Sequence, residues 1–122
     1  LSVSDLPAAW NEKYREYLGV VPASDSEGVL QDIHWAGGMF GYFPSYALGS
    51  AIAAQVEAHL RSIMDLDGAL RSGSLGDIRS YLKEHLHQYG GEKKTNELLL
   101  GMMGEPFQPG YYIQYLKNKF GE

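Results

Sequence analysis

The sequence predicts an all-α fold of about six helices, and three observations carry that expectation. Apolar residues recur three and four positions apart through most of the chain, the repeat of a helix with one buried face. Glycine makes up 15 of the 122 residues and mostly falls where those periodic runs stop, as expected of residues that close helices. No stretch shows a convincing strand-like alternation of apolar and polar side chains.

The first helix is marked by Leu6, Trp10, Tyr14, Tyr17 and Leu18, with Gly19 as its stop. After a connector over Gly19 to Ala23, Ser24 and Glu27 match a capping box, so a second helix is expected there. On its wheel Val29, Leu30, Ile33 and Ala36 share one side, while Gln31, His34 and Trp35 project from the other. Gly37 to Pro44 reads Gly-Gly-Met-Phe-Gly-Tyr-Phe-Pro, too glycine-rich for a regular element and too aromatic for a solvent loop. An ordered, partly buried turn is expected. Ser45 then caps a long third helix with an apolar stripe of Leu48, Ile52, Val56, Leu60 and Ile63. Small residues such as Ala47, Gly49 and Ala51 thin its first half. Asp65 to Gly73 is a short helical turn. Ser74 with Asp77 restarts a helix through Ile78, Leu82, Leu86 and Tyr89, and Gly90 and Gly91 end it. Thr95 is the expected cap of a short helix over Leu98 to Met103. Pro109 suits the first turn of a last helix carrying Tyr112, Tyr115, Leu116 and Phe120.

Charge and composition exclude several functions. A formal net charge of −5 argues against nucleic acid and anionic membrane as partners, because both demand concentrated Lys and Arg. No apolar run is long enough to cross a bilayer, and the residues after Leu1 do not read as a signal peptide. With no cysteine there is no disulfide framework, thiol nucleophile or sulfur-based zinc site, and a cytoplasmic location is the resulting expectation. His85 and His87 lie two residues apart, about 200° around a helix, and cannot easily share a metal. His59 and His85 read as core or flank histidines beside apolar neighbours. Gly37, Gly38 and Gly41 lack the Lys-Ser or Lys-Thr of a phosphate loop. The remaining concentration of chemistry is Gln31-Asp32-Ile33-His34-Trp35 together with the glycine-aromatic turn after it. These groups suit either the lining of a pocket or a Trp-His cluster that anchors the turn.

Gly28-Val29-Leu30-Gln31-Asp32-Ile33-His34-Trp35 resembles the Gly-x-x-Gln-Asp-x-His-Trp motif of the thermostable carboxypeptidases, the carboxypeptidase Taq family of zinc metallopeptidases. The likeness extends over Gly41-Tyr42-Phe43-Pro44-Ser45-Tyr46-Ala47-Leu48-Gly49-Ser50, with Ser45 for the family's threonine and Ser50 for its asparagine. It continues over Ala53-Ala54-Gln55, and Trp10 to Tyr14, Gly104-Glu105-Pro106 and Tyr115-Leu116 also look like that family's C-terminal region. The resemblance implies that the chain, 1–122, is a single helical C-terminal segment of a larger zinc carboxypeptidase, and that Leu1 is a cut inside it. The family's His-Glu-x-x-His motif, later glutamate ligand and Ile-Arg-x-x-Ala-Asp motif match no position here.

The resemblance further implies an inactive segment with no catalytic residue and no metal ligand of its own, zinc or another divalent metal being held elsewhere in the parent. His34 is expected to face the peptide substrate, with Gln31, Asp32 and Trp35 fixing or assisting it and Tyr42 as a second contact. Partners are then the peptide substrate, the rest of the parent chain and, possible for either reading, a second copy in a homodimer. The alternative is a free-standing helical module whose aromatic surface docks a partner helix or closes a homodimer.

Overall fold

The computed structural model describes residues 1–121, which form six α-helices joined by 3₁₀ turns and loops, with no strand among the described residues. The chain divides into two units, Leu1–Ser45 and a second that begins at Tyr46. No helix among the described residues is long and apolar enough to cross a membrane.

In the first unit, α1 (Leu6–Leu18) ends at Gly19 in the left-handed conformation (φ 71°), as its periodicity predicts. The expected second helix is absent. Two 3₁₀ turns stand in its place, Val29–Gln31 and Ile33–Gly37. The capping box does not form, since Ser24 Oγ pairs with Ser26 Oγ (2.8 Å) and Gly28 sits at φ −116°, ψ −115°, outside helical space. A Cβ on Gly28 would lie 3.2 Å from Pro22 Cβ and 3.4 Å from Asn11 Oδ1. The backbone there passes close to α1 and the connector, an approach that a continuous helix would not permit. The Gly37–Pro44 turn is ordered, but its side chains are exposed rather than partly buried. The rings of His34 and Trp35 pack against Tyr42, Phe43 and Phe40 without covering them.

The long helix α2 (Pro44–Ile63) begins one residue before Ser45, whose hydroxyl donates to the Tyr42 carbonyl instead of capping an N–H. Its buried residues are Ala51, Ala54, Gln55 and Leu60, while Leu48 and Ile63 of the expected stripe are exposed. Of the small residues only Ala51 and Ala54 are buried, beside Gln55, while Leu60 is the buried member of the expected stripe. Next, α3 (Leu66–Ser72) is capped by Asp65, which accepts from Gly68 N at 3.0 Å, and closed by left-handed Gly73. The helix α4 (Gly76–His85) stops short of Tyr89. Leu86 leaves helical space at φ −127°, and a 3₁₀ turn over His87–Tyr89 finishes the segment. The cap of α5 (Thr95–Met103) is Lys94 rather than Thr95, with Glu97 Oε2 accepting from Lys94 N at 2.8 Å. Pro109 introduces α6 (Gly110–Phe120).

The core of the second unit is Ala51, Ala54, Leu60, Leu66, Leu99 and Met102 around a fully buried Gln55. Leu99 is its most buried apolar side chain, at 1% exposure. Leu99→Ala should cost about 2.5 kcal/mol, toward the low end for such truncations because a small core partly collapses onto the gap. Urea unfolding would measure it, and an unchanged midpoint would contradict this placement of the core.

Two helical glycines make a matched test of local structure. Gly101 in α5 has open space where a Cβ would stand, so Gly101→Ala should stabilise by about 0.5–1 kcal/mol. A Cβ on Gly68 would lie 2.1 Å from Asp65 Oδ2 and displace the cap of α3. Losing that cap costs about 1 kcal/mol, so Gly68→Ala should show no net gain. Equal gains for both in thermal unfolding would contradict the Asp65 cap.

Candidate functional site

The site is built by the junction of the two 3₁₀ turns. Asp32 stands between them at φ −80°, ψ 84°, which ends the first turn and lets its carboxylate cap the second. Oδ1 accepts from His34 N at 3.1 Å and lies 2.8 Å from His34 Nδ1. Both side chains are mostly buried, 7% exposed for Asp32 and 11% for His34. Left-handed Gly38 then reverses the chain, donating to the carbonyls of His34 and Trp35. That reversal brings the Tyr42 ring to 4.9 Å from the His34 ring, centroid to centroid, and Phe43 to 5.6 Å. Phe43 adds an apolar edge beside the imidazole.

Of the five residues expected at the site, three come together: Asp32, His34 and Tyr42. The other two are committed elsewhere in the same unit. Gln31 Nε2 donates to the Ser26 carbonyl and holds the preceding loop. Trp35 meets Trp10 of α1 edge-on at 6.3 Å and stacks on Phe40 at 6.2 Å. Trp35 thus anchors the turn to α1, while the mostly buried His34 and the exposed Tyr42 meet at its other side. An imidazole backed by a carboxylate and set beside a phenol is suited to hydrogen-bonding an anionic or carbonyl oxygen.

Two groups in the second unit were not expected as polar clusters, although Gln55, His59 and His85 are named in the sequence. Gln55 Nε2 donates to the Pro106 carbonyl at 2.9 Å and lies 3.3 Å from Met103 Sδ, while Oε1 accepts from Gln108 N at 2.8 Å. The second group is Tyr81, whose hydroxyl donates to the Met102 carbonyl at 3.3 Å and lies 2.7 Å from His59 Nε2. His85 packs on the Tyr81 ring at 4.2 Å. Burial, aided by the nearby Glu84 charge, pushes the Tyr81 phenol above its usual range, so it remains a donor at neutral pH. A glutamine on an otherwise apolar helix face was the available sign of the first group. Nothing local signalled the second.

Among the described residues, no three or more of His, Cys, Asp and Glu are arranged to hold a metal ion. A further feature of the first unit is an apolar groove of about 430 Å³ along α1, lined by Leu6, Trp10, Tyr14, Tyr17, Leu18 and Trp35 among others. The Trp10 indole N–H beside it is buried without a partner.

The sequence matches the family described as Carboxypeptidase Taq (M32) metallopeptidase over residues 1–120. It is similar to carboxypeptidase 1 of Bacillus subtilis, 46% identical over 121 residues that make up 98% of this chain and 24% of that one. Thermostable carboxypeptidase 1 of Pyrococcus furiosus is 36% identical over the same shares of the two chains. In structure the chain is similar to Trypanosoma cruzi metallocarboxypeptidase 1, at a TM-score of 0.91 and 39% identity, covering all of this chain and 26% of that one. The chain thus spans about a quarter of the length of the curated relatives it matches.

Proposed function

The chain belongs to the carboxypeptidase Taq (M32) metallopeptidase family, and from that premise we propose that it is the substrate-side segment of a zinc-dependent carboxypeptidase that removes C-terminal residues from peptides. The observation that carries this reading is the pairing of His34 with Tyr42, backed by Asp32, in a chain whose described residues hold no metal-competent cluster. His34 and Tyr42 face the C-terminal carboxylate or the developing oxyanion of the substrate, where donors stabilise charge as it forms. The metal and the base that activates water belong to the rest of the parent, which itself works in the cytoplasm on peptides.

The isolated chain should release no C-terminal residue from peptides and should carry no stoichiometric zinc after metal loading and dialysis. Turnover with zinc bound one to one would overturn the assignment.

Exposed apolar residues are spread over several elements, with Tyr17 and Leu18 on α1, Phe40 in the turn, Leu70 on α3 and Phe120 on α6. A free-standing module would concentrate such residues in one patch. The spread favours surfaces that the remainder of the parent covers. The separated chain is accordingly expected to self-associate at micromolar concentration in light scattering. A strict monomer would support the interaction module instead.

A further inference from the structure

The family motif places Asp32 with the residues that meet or assist at the substrate, and its geometry gives it a narrower task. We infer that Asp32 is a positioning residue that acts through His34: its carboxylate holds Nδ1–H and so fixes the plane in which the imidazole lies. This rests on the reading that His34 lies at the substrate.

A neutral imidazole carries its proton on either nitrogen, and the partner of one nitrogen decides which. An ionised carboxylate only accepts, so an oxygen 2.8 Å from Nδ1 requires that nitrogen to be the N–H. The same oxygen also accepts from His34 N at 3.1 Å, which ties the carboxylate to the backbone of the residue it orients. Asp32 is 7% exposed, so water competes poorly for it, and among the described residues its ion-pairing partner is His34. Charge-assisted bonds of this kind are roughly twice as strong as neutral ones. Tyr42 and Phe43 pack against the imidazole and limit its rotation.

The test is a double-mutant cycle in the full-length parent, with kcat/KM, bound metal and circular dichroism measured for each variant. Orienting partners of this type are worth about 10- to 100-fold when removed. Asp32→Asn, which keeps the shape and removes the charge, should lower kcat/KM by that factor at unchanged metal content. Asp32→Asn combined with His34→Ala should be no worse than His34→Ala alone, because Asp32 has nothing left to position. Multiplicative losses, or a silent Asp32→Asn beside an impaired His34→Ala, would overturn the inference and leave the functional reading standing. A silent His34→Ala would instead remove the functional reading itself. If Asp32→Asn fails to fold, ¹⁵N-histidine NMR of the unaltered parent decides the matter. An Nδ1–H signature for His34 is expected, and an Nε2–H tautomer contradicts it.

Discussion

Gln55→Leu is expected to destabilise the protein by about 4 kcal/mol, although leucine has nearly the same size and is the more hydrophobic side chain. Gln55 is fully buried, with no measurable exposure. Its amide serves the Pro106 carbonyl and the Gln108 N–H, two backbone groups of the loop that joins α5 to α6. Leucine leaves both without their side-chain partner, at about 1–3 kcal/mol each. It also frees the loop that sets the start of α6. Asn96 adds a second clamp on the same loop, accepting from Phe107 N at 3.0 Å, and does not replace the first.

Gln55→Glu sharpens the test because its effect depends on pH. A protonated carboxyl can donate to the Pro106 carbonyl and accept from Gln108 N, whereas a carboxylate can only accept. Burial beside a carbonyl raises the carboxyl above its unfolded value. The variant should therefore approach the wild type at acid pH, below the unfolded carboxyl range. Its stability is lost as pH rises through the folded value. Urea midpoints relative to wild type at acid and neutral pH would show this. A constant difference between the two would contradict the bonding assigned to the amide.

The legibility of the fold followed the range of the interactions behind it. The ends of α1 and α3 were marked by Gly19 and Gly73, because a left-handed residue at a helix end is a local need that glycine meets. The failure between Ser24 and Gly37 has the opposite origin. Local capping signals favoured a helix, and the close approach of Gly28 to Pro22 and Asn11 excluded it. On α2 the apolar stripe is covered at Leu60, half-covered at Ile52 and Val56 and exposed at Leu48 and Ile63, while Ala51, Ala54 and Gln55 are buried beside it. Gln55 is named in the sequence only as part of Ala53-Ala54-Gln55, and its bonding role was not legible because its partners lie 48 to 53 residues away.

The candidate site was legible as a stretch and not as an arrangement. Gln31, Asp32, His34, Trp35 and Tyr42 were all singled out by motif, which treats them as one group. Their division depends on a ψ of 84° at Asp32 and a left-handed Gly38, which turn His34 toward Tyr42 while Trp35 goes to Trp10. A signal for the dyad does exist in the sequence. An Asp two residues before a His favours a turn in which the carboxylate takes the backbone N–H, and the imidazole then lies within reach.

A His34 that belongs to the substrate side of the parent enzyme, and not to its metal, can be removed without disturbing the metal. Removing one preorganised donor to developing charge costs about 100-fold or more in turnover. His34→Ala in the full-length parent is the direct measurement, with turnover and bound metal read on the same preparation. A loss of about 100-fold at unchanged metal per chain is the predicted result. Metal lost in step with activity would place His34 among the ligands, and unchanged turnover would place it away from the substrate; either would contradict the substrate-side role.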